Sequence, residues 1–517
     1  LLKANVDLLW NGGIGTYVKS TTENNESVGD RANDAVRIDA TELKAKVIGE
    51  GGNLGMTQLG RIEYAKNGGR LNTDAIDNSA GVDSSDHEVN LKILLQVLHH
   101  EQRLQDVAAG YHLLEEMEET VCQDVLANNY TQTLSISLDE IRCQSDVEPY
   151  LELLDRLGRA GLLDRRGEFL PSRKLAPSRQ SNRLHRTELS VLLAYSKMFL
   201  YRALLDSELP ANQVIDQLLL DYFPQQAVDR YADLLPRHPL AKEITATMIT
   251  NRVVDQAGSS FCQTLSRLTG RSQVSVAIFY LIFDHMLGGR EMRQALFALD
   301  NKILAELQYD LLLKLEDVLR SYCSYALSSG MDLPSGDEDL HRIVSQLQQF
   351  TALLPTVLLP ETWQQCQDDC NSLVKEGVPD NVAQKFSALK YLADFLPLIC
   401  MLKVSGKNLE QLARLKAYVD NKLASESIFD LLEKVPVRDR WDRRAKESLL
   451  GSLHSVMVRI VQQLAIDSVA NPEKFFEQRR QKLRAYEDLR QSLVSEVPQN
   501  YHPFTVLLRS LDNFLAG

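Results

Sequence analysis

The chain has 517 residues, of which 44% are hydrophobic and 25% are charged, as in an ordinary globular protein. Its 57 basic and 70 acidic residues give a net charge of −13, which argues against nucleic acid or a membrane as the main partner. Seven cysteines are too few for a disulfide framework and favour a reducing, cytoplasmic location.

The first 95 residues alternate short apolar segments with Gly, Asn and Asp, which predicts a small α/β region. We expect three buried strands, VDLLW (6–10), KVIG (46–49) and GRLNT (69–73). TQLGRIEYAK (57–66) is predicted as the helix that crosses between the last two strands. This order indicates parallel strands joined by a right-handed crossover.

After residue 95, apolar residues recur at steps of three and four, the pattern of amphipathic helices that pack on one another. The longest apolar run, VAIFYLIF (276–283), is too short to cross a bilayer and predicts a buried helix. SSGMDLPSGDED (328–339) marks a break between helical segments. The predicted fold class is mostly α with a small α/β portion, an incomplete Rossmann-like parallel sheet followed by a large multi-helix region. The predicted domains are 1–95, 96–330 and 331–517.

The glycine-rich turn after KVIG partly matches a dinucleotide-binding fingerprint. Its glycines at 49, 51, 52 and 55 fit the loose spacing Gly-x-Gly-x-x-x-Gly, but the strict fingerprint needs glycine at position 54, which is Leu54. Glu50 within the turn would repel a pyrophosphate. We therefore interpret the turn as a ligand-binding loop at the carboxyl end of a late strand, and not as the pyrophosphate loop. Its glycines are expected to let the backbone approach a ligand closely.

Three motifs in order resemble the nucleotide domain of glutamate dehydrogenases. VDLLWNGGIG (6–15) corresponds to an Asp-Ile-Leu-Ile-Pro-Ala-Ala strand, and GEGGN (49–53) followed by Thr57 corresponds to Glu-Gly-Ala-Asn-(x)₃-Thr. DNSAGV (77–82) with Ser85 corresponds to Asn-Ala-Gly-Gly-Val-(x)₂-Ser. The variants in these motifs, together with the long helical tail, resemble the large NAD-specific bacterial glutamate dehydrogenases.

The resemblance continues into the helical region, to about residue 330. The segments that carry it are NNYTQTLSISLDE (128–140), RTELSVLLAYSKMFLY (186–201) and RHPLAKEITATMITNRVVDQAG (237–258). It implies that residues 1–95 are the C-terminal half of a dinucleotide-binding catalytic domain. It also implies a homo-oligomeric intact enzyme that uses NAD to convert L-glutamate to 2-oxoglutarate and ammonia.

The resemblance further implies a set of binding residues. Asn53 and Asn78 would hydrogen-bond the nicotinamide ribose or carboxamide and the substrate, and an amide suits this because it donates and accepts without charge. Gly12 and Gly13 would line the cofactor cleft by backbone contact, and Ser85 would bind a substrate carboxylate. The alternative for each asparagine is a turn residue that bonds its own backbone.

Neither a pyrophosphate-binding turn nor a catalytic Lys and Asp pair is recognisable, so no catalytic residue is assigned and the chain alone is expected to be inactive. A second hypothesis remains open: a helical scaffold or oligomerisation protein whose α/β portion is a non-catalytic remnant. The sequence upstream of Leu1 would separate the two hypotheses.

Four weaker patterns receive structural interpretations. Asp74 lies where a fingerprint would place its ribose-binding acid, but we predict that it only ends a strand. The acids of DSSDHE (83–88) are expected to lie at a helix N-terminus and not to bind metal. Cys366 and Cys370 are predicted to be ordinary thiols, and His99–His100 to lie on a polar helix face.

Overall fold

The computed structural model describes residues 1–173, 183–210, 212–334, 336–438, 440–466, 472–496 and 498–516. The chain divides into two compact units, Leu1–His285 and Met286–Gly517. Among the described residues, strands occur only within the first 50 positions and helices follow, which confirms the predicted fold class. The domain boundaries at 95 and 330 stay predictions.

Four short strands lie at the start of unit 1. They are β1 (Leu8–Asn11), β2 (Val18–Lys19), β3 (Ile38–Asp39) and β4 (Val47–Glu50). β1 pairs with β4 in parallel, with Asn11 opposite Glu50, and β2 pairs with β3 in parallel. The parallel arrangement of the first two predicted strands is confirmed, but the segment 12–45 between them holds a second pair that the sequence did not predict.

Two details of the predicted sheet are wrong. The strand expected at 69–73 is reduced to one parallel bridge between Val47 and Arg70, because the chain then turns into a helix that begins at Asp74. β1 is not buried, since Leu8 is 57% exposed and Trp10 is 60% exposed.

The first α-helix of unit 1 is short and lies between β2 and β3, and the other α-helices of the unit follow β4. They are α1 (Asn25–Val28), α2 (Gln58–Lys66), α3 (Asp74–Asp77), α4 (Ser79–His100), α5 (Val107–Ser145), α6 (Glu148–Arg159), α7 (Arg186–Leu205), α8 (Gln213–Tyr222), α9 (Gln225–Tyr231), α10 (Ala241–Ala257), α11 (Phe261–Thr269) and α12 (Gln273–Leu287), the last of which crosses into unit 2. α2 confirms the predicted crossover helix. The Thr57 side chain caps it by accepting a hydrogen bond from the Gly60 amide over 3.0 Å.

In the described residues of unit 1, two apolar clusters position the surrounding elements. Val18, Ile48 and Met56 pack under the strands, with the buried Tyr64 ring of α2 against them. A separate cluster joins α4 and α5 to the helices α8 and α9. Its buried members include Leu91, Leu94, Leu98, Leu113, Met117, Leu219, Tyr222 and Phe223. The leucines of α4 recur at steps of three and four, so one face of that helix is buried.

Unit 2 is helical throughout its described residues. Its helices are α13 (Gly289–Phe297), α14 (Ala305–Ser329), α15 (Asp337–Val357), α16 (Pro360–Lys375), α17 (Asp380–Leu392), α18 (Phe395–Ser405), α19 (Leu409–Leu423), α20 (Ser425–Lys434), α21 (Arg440–Ile466), α22 (Pro472–Gln478), α23 (Arg480–Glu496) and α24 (His502–Leu515). The predicted break at 328–339 falls between α14 and α15, and its residue 335 lies outside the described residues.

Two helices are apolar enough that their burial must be examined before a membrane-spanning role is considered. The run 276–283 lies in α12 and is buried, as predicted. Among the described residues one helix, Trp441–Ile466, is long and apolar enough to cross a membrane. Of the most apolar stretch of this helix, 50% is buried inside the protein. Its residues Leu453, Val456 and Ile460 are fully buried, as in a core helix.

Candidate functional site

The carboxyl ends of β1 and β4 carry two loops that pack on each other. The Gly52 amide donates a hydrogen bond to the Asn11 carbonyl over 2.8 Å. A Cβ atom on Gly52 would lie 2.2 Å from the Gly13 carbonyl oxygen, so the close approach of these loops requires glycine at position 52. The edge of a parallel sheet at which strands end is where α/β proteins bind ligands.

The other glycines of the turn make room for side chains of β1. A Cβ atom on Gly49 or Gly51 would lie 2.5 or 2.6 Å from the Trp10 ring. A Cβ atom on Gly55 would lie 1.7 Å from the Asn11 amide nitrogen. Side chains of β1 therefore occupy the space beside positions 49, 51 and 55, and the expectation that these glycines let the backbone approach a ligand stays a prediction.

A buried ion pair lies beneath the turn. Glu50 is 0% exposed, and Nε and Nη2 of Arg61 on α2 donate to its two carboxylate oxygens over 2.7 and 2.9 Å. Burial raises the pKa of Glu50, although the hydrogen bonds from Arg61 oppose that shift. Burial by itself would lower the pKa of Arg61, but Glu50 and the nearby Asp74 and Asp77 raise it. The guanidinium is therefore charged, and Glu50 points into the protein.

Asp74 and Asp77 fix the turn from the next segment. Asp74 Oδ2 accepts a hydrogen bond from the Leu54 amide over 2.8 Å, and Asp74 Oδ1 lies 3.0 Å from Arg61 Nη2. Asp77 Oδ2 accepts from the Glu50 amide over 2.9 Å. The prediction that Asp74 ends a strand is wrong: Asp74 begins α3 and anchors Leu54, whose φ of 58° is unusual for a residue with a side chain.

Asn53 and Asn78 meet at this edge of the sheet. Asn78 Nδ2 donates to Asn53 Oδ1 over 3.0 Å, so the structure brings together the two asparagines that the resemblance singled out. Within the described residues, Asn53 Nδ2 and Asn78 Oδ1 make no other hydrogen bond, which leaves one donor group and one acceptor. This combination is complementary to a carboxamide, and the cofactor-binding role of the two asparagines stays a prediction.

The remaining predicted binding residues lie at different distances from this pair. Gly12 and Gly13 are exposed in the loop after β1, and Gly13 contacts Gly52 through its carbonyl. Ser85 is exposed on α4, seven residues beyond Asn78, which corresponds to about 10 Å along the helix axis. Their binding roles stay predictions.

A cavity of about 660 Å³ lies against β1 and β4. Its lining is mainly apolar and includes Leu2, Leu9, Tyr17, Val18, Ile48 and Met56. The cation in the lining, Lys3, already pairs with Glu42. This composition suits an apolar group better than a pyrophosphate.

The acidic segment 83–88 lies within a helix and contacts neighbouring helices. Segment 83–88 lies in the second and third turns of α4, where Asp83 accepts a hydrogen bond from Asn128 and the ring of His87 stacks on Tyr222 at 4.5 Å. No group of three or more His, Cys, Asp or Glu is arranged to hold a metal ion in the part of the chain that the structure describes.

The cysteine and histidine pairs lie on helices. Cys366 is buried and its Sγ lies 3.8 Å from Ser387 Oγ, while Cys370 is half-buried. His99 and His100 are exposed in the last turn of α4, as predicted.

Three polar residues around the site were missing from the predicted set. Arg186 on α7 donates to Asn72 over 2.7 Å, and Asn129 on α5 donates to the Ile76 carbonyl over 3.0 Å. Asn129 and Arg186 lie in segments that carry the family resemblance. The sequence gives them no role, because their partners lie 53 and 114 residues away.

Comparisons with known proteins show which family the chain resembles. The family model described as glutamate dehydrogenase, C-terminal, matches residues 181–513, and that of the bacterial NAD-glutamate dehydrogenase catalytic domain matches residues 1–139. The NAD-specific glutamate dehydrogenase of Pseudomonas aeruginosa is 37% identical over 455 residues, which are 88% of this chain and 28% of that protein. The enzymes of the same name from Halomonas elongata and Mycobacterium tuberculosis are 36% and 31% identical over 87% and 96% of this chain.

The chain spans less than a third of the length of these relatives, with 28% to 30% of each covered. One family model matches more than half of the chain, and the other matches the residues that form the strands and the glycine turn. The chain belongs to the family of large bacterial NAD-specific glutamate dehydrogenases.

Proposed function

We propose that this chain forms part of an NAD-dependent enzyme that oxidatively deaminates L-glutamate to 2-oxoglutarate and ammonia. The chain contributes the nicotinamide-binding edge of the catalytic domain, and the amides of Asn53 and Asn78 contact the cofactor there. The observation that carries this proposal is the 3.0 Å hydrogen bond between these side chains, which come from two different segments and meet where the parallel strands end.

The chemistry of the pair matches the reaction. Bound NAD would supply the hydride acceptor of the reaction. Asn53 Nδ2 would donate to the carboxamide oxygen and Asn78 Oδ1 would accept from the carboxamide nitrogen, and these two residues would thereby orient the nicotinamide for hydride transfer. Amides suit this position because they place no charge beside the developing nicotinium.

The structure beneath the pair provides rigidity. The turn that carries Asn53 is held by the buried Glu50 carboxylate, through the Met56 amide, and by Asp74, through the Leu54 amide. A preorganised binding group loses less conformational entropy when the cofactor binds. In this proposal Ser85, which is exposed on α4, binds a substrate carboxylate, and Gly12 and Gly13, which are exposed after β1, border the cofactor by backbone contact.

The test uses the full-length protein that carries this chain. Asn78→Ala is expected to lower kcat/KM for NAD by about 5- to 150-fold, equivalent to roughly 1–3 kcal/mol for an unmet polar contact. Asn67→Ala is the matched control, because Asn67 is an exposed asparagine at the C-terminal end of α2. An Asn78→Ala enzyme as active as the Asn67→Ala enzyme would remove Asn78 from the site.

The helical scaffold hypothesis makes the opposite prediction. A protein in which the α/β portion is a remnant would show no glutamate-dependent reduction of NAD in its full-length form. A homo-oligomeric state and a cytoplasmic location are further parts of the proposal. The cytoplasmic location is supported by the seven cysteines, none of which forms a disulfide.

A further inference from the structure

The segment that ends in Asn78 is held by side chains from two helices of the helical region. Asn129 on α5 uses its Nδ2 group to donate both to the Ile76 carbonyl and to the Ser79 hydroxyl, each over 3.0 Å. These two partners lie on either side of Asn78 in the chain. α5 therefore fixes the junction between α3 and α4, at which Asn78 lies.

A second contact comes from Arg186 at the start of α7. Its Nε donates to Asn72 Oδ1 over 2.7 Å, while Nη1 donates to Ser137 Oγ and Glu140 Oε2, both over 2.9 Å. Nη2 donates to the Thr133 carbonyl over 3.0 Å. A guanidinium holds its donors in one plane, so the contacts to α5 determine where Asn72 is held.

Asn72 passes this constraint to the glycine turn. Its Nδ2 donates to Asp77 Oδ1 over 2.7 Å, and Asp77 Oδ2 accepts from the Glu50 amide over 2.9 Å. Asp77 precedes Asn78 directly, and Glu50 is the last residue of β4 before the turn. These hydrogen bonds therefore link α7 and α5 to Asp77, which directly precedes Asn78, and to Glu50, which lies three residues before Asn53.

We propose that Asn129 and Arg186 are positioning residues that hold Asn78 in place for hydride transfer. This inference rests on the proposed function, in which Asn78 contacts the nicotinamide. α3 has only four residues, and its N-cap residue Thr73 makes no side-chain capping bond, so local structure alone fixes the segment weakly. The side chains from α5 and α7 supply the missing constraint.

Arg186 does not bind a ligand itself. Each of its three nitrogens donates to a protein acceptor, and its side chain is only 19% exposed. Its effect on the reaction therefore passes through Asn72 and the segment that carries Asn78. A displacement of about 1 Å at a reacting group can reduce a rate by up to 10²-fold.

The experiment is a double-mutant cycle in the full-length protein. Arg186→Met is expected to lower kcat about tenfold, to change KM for NAD less than about threefold, and to raise the kinetic isotope effect with glutamate deuterated at C2. In the Asn78→Ala background, the same substitution is expected to lower kcat less than about twofold, because its effect acts through Asn78.

A matched control separates positioning from stability. Arg252 on α10 forms an ion pair with Asp221 on α8, in the same unit but away from segment 72–79. Arg252→Met is expected to lower the thermal unfolding temperature about as much as Arg186→Met while kcat stays within twofold of the parent. Asn129→Ala gives an independent test if Arg186→Met does not fold, and Arg186→Lys is expected to retain an intermediate kcat.

The outcomes are distinguishable. If Asn78→Ala lowers the rate but Arg186→Met and Asn129→Ala behave like Arg252→Met, the positioning role is wrong and the proposed function stands. If Arg186→Met lowered kcat by the same factor in the parent and in the Asn78→Ala enzyme, the positioning role would likewise be wrong. If Asn78→Ala keeps the parental rate, the nicotinamide site itself is wrong, and the inference falls with it.

Discussion

The indole ring of Trp10 lies over Gly49, where a Cβ atom would be 2.5 Å from ring carbon Cε3. The ring is 60% exposed, so it can swing away when a side chain is added. We expect Gly49→Ala to destabilise unit 1 by only about 1 kcal/mol and to shift Trp10 fluorescence to longer wavelength. Because Trp363 and Trp441 lie in unit 2, replacing both with Phe isolates the Trp10 signal. In a Trp10→Ala background, Gly49→Ala should not lower the free energy of unfolding further. Additive losses from the two substitutions would contradict the contact between the ring and Gly49.

Gly52→Ala provides the contrasting case. The obstacle there is the backbone carbonyl of Gly13, at 2.2 Å from the added Cβ, and a backbone cannot rotate away as a side chain can. We expect a loss of about 3 kcal/mol or more in the free energy of unfolding, measured by urea denaturation. Trp10→Ala should not relieve it. A Gly52→Ala chain as stable as Gly49→Ala would show that the two loops are not packed as described.

The buried pair Glu50–Arg61 makes a prediction of its own. Arg61→Met leaves a buried carboxylate without its cation, so the free energy of unfolding should fall by about 3–5 kcal/mol. Adding Glu50→Gln should recover part of that loss. Lys46→Met is the control, because it breaks the exposed pair between Lys46 and Asp7 and should change stability by less than about 1 kcal/mol. If Arg61→Met and Lys46→Met lowered the free energy of unfolding equally, the burial of Glu50 would be contradicted.

The parts of this structure that follow from local sequence could be predicted. The helix predicted over 57–66 forms as α2 with Thr57 as its N-cap, and the spacing of the leucines of α4 marks the buried face of that helix. The expected strand at 69–73 failed because Asn72 and Thr73 lead into a helix, and a short apolar run does not distinguish these outcomes.

The order of the family motifs along the chain predicted some residues of the candidate site but none of their contacts with distant residues. The resemblance pointed to Asn53 and Asn78, and the structure adds that they touch. Trp10 fills the space beside Gly49, and Arg186 reaches Asn72 from 114 residues away. Such contacts depend on which segments the fold brings together, and no local pattern encodes them.

His238 predicts a pH dependence of stability. Its Nδ1 accepts a hydrogen bond from the Leu240 amide over 3.1 Å, so Nε2 carries the proton and donates to the Asn90 carbonyl over 3.1 Å. Burial lowers the pKa of His238 below its ordinary value of 6.5. The unfolded chain therefore binds a proton at a higher pH than the folded chain does, and stability should fall as the pH drops below about 6.5.

The measurement is the thermal unfolding temperature between pH 7.5 and pH 5.5. His238→Gln keeps a donor towards Asn90 and does not titrate, so its unfolding temperature should fall less over this range than that of the parent. Identical pH profiles for the two chains would show that His238 is not protonated more readily in the unfolded state.

The 517-residue chain by itself is expected not to catalyse glutamate oxidation. Neither a pyrophosphate-binding turn nor a Lys and Asp pair for acid–base chemistry is recognisable in its sequence, and the acid–base groups alone are worth about 10²–10⁴ in rate. A steady-state assay with glutamate and NAD, together with calorimetric titration of NAD, measures this. Ordinary enzymatic turnover or micromolar affinity for NAD would show that the active site lies elsewhere in these residues.

The contacts of Arg186 also determine how members of this family can be recombined. A chimaera joined anywhere between residues 140 and 186 takes Asn72 and Asn129 from one parent and Arg186 from the other. The guanidinium then meets a foreign set of acceptors on α5, at the positions of Thr133, Ser137 and Glu140. A crossover inside α10, in contrast, leaves the whole set within one parent, so hybrids joined there should inherit their catalytic rate intact from the N-terminal parent.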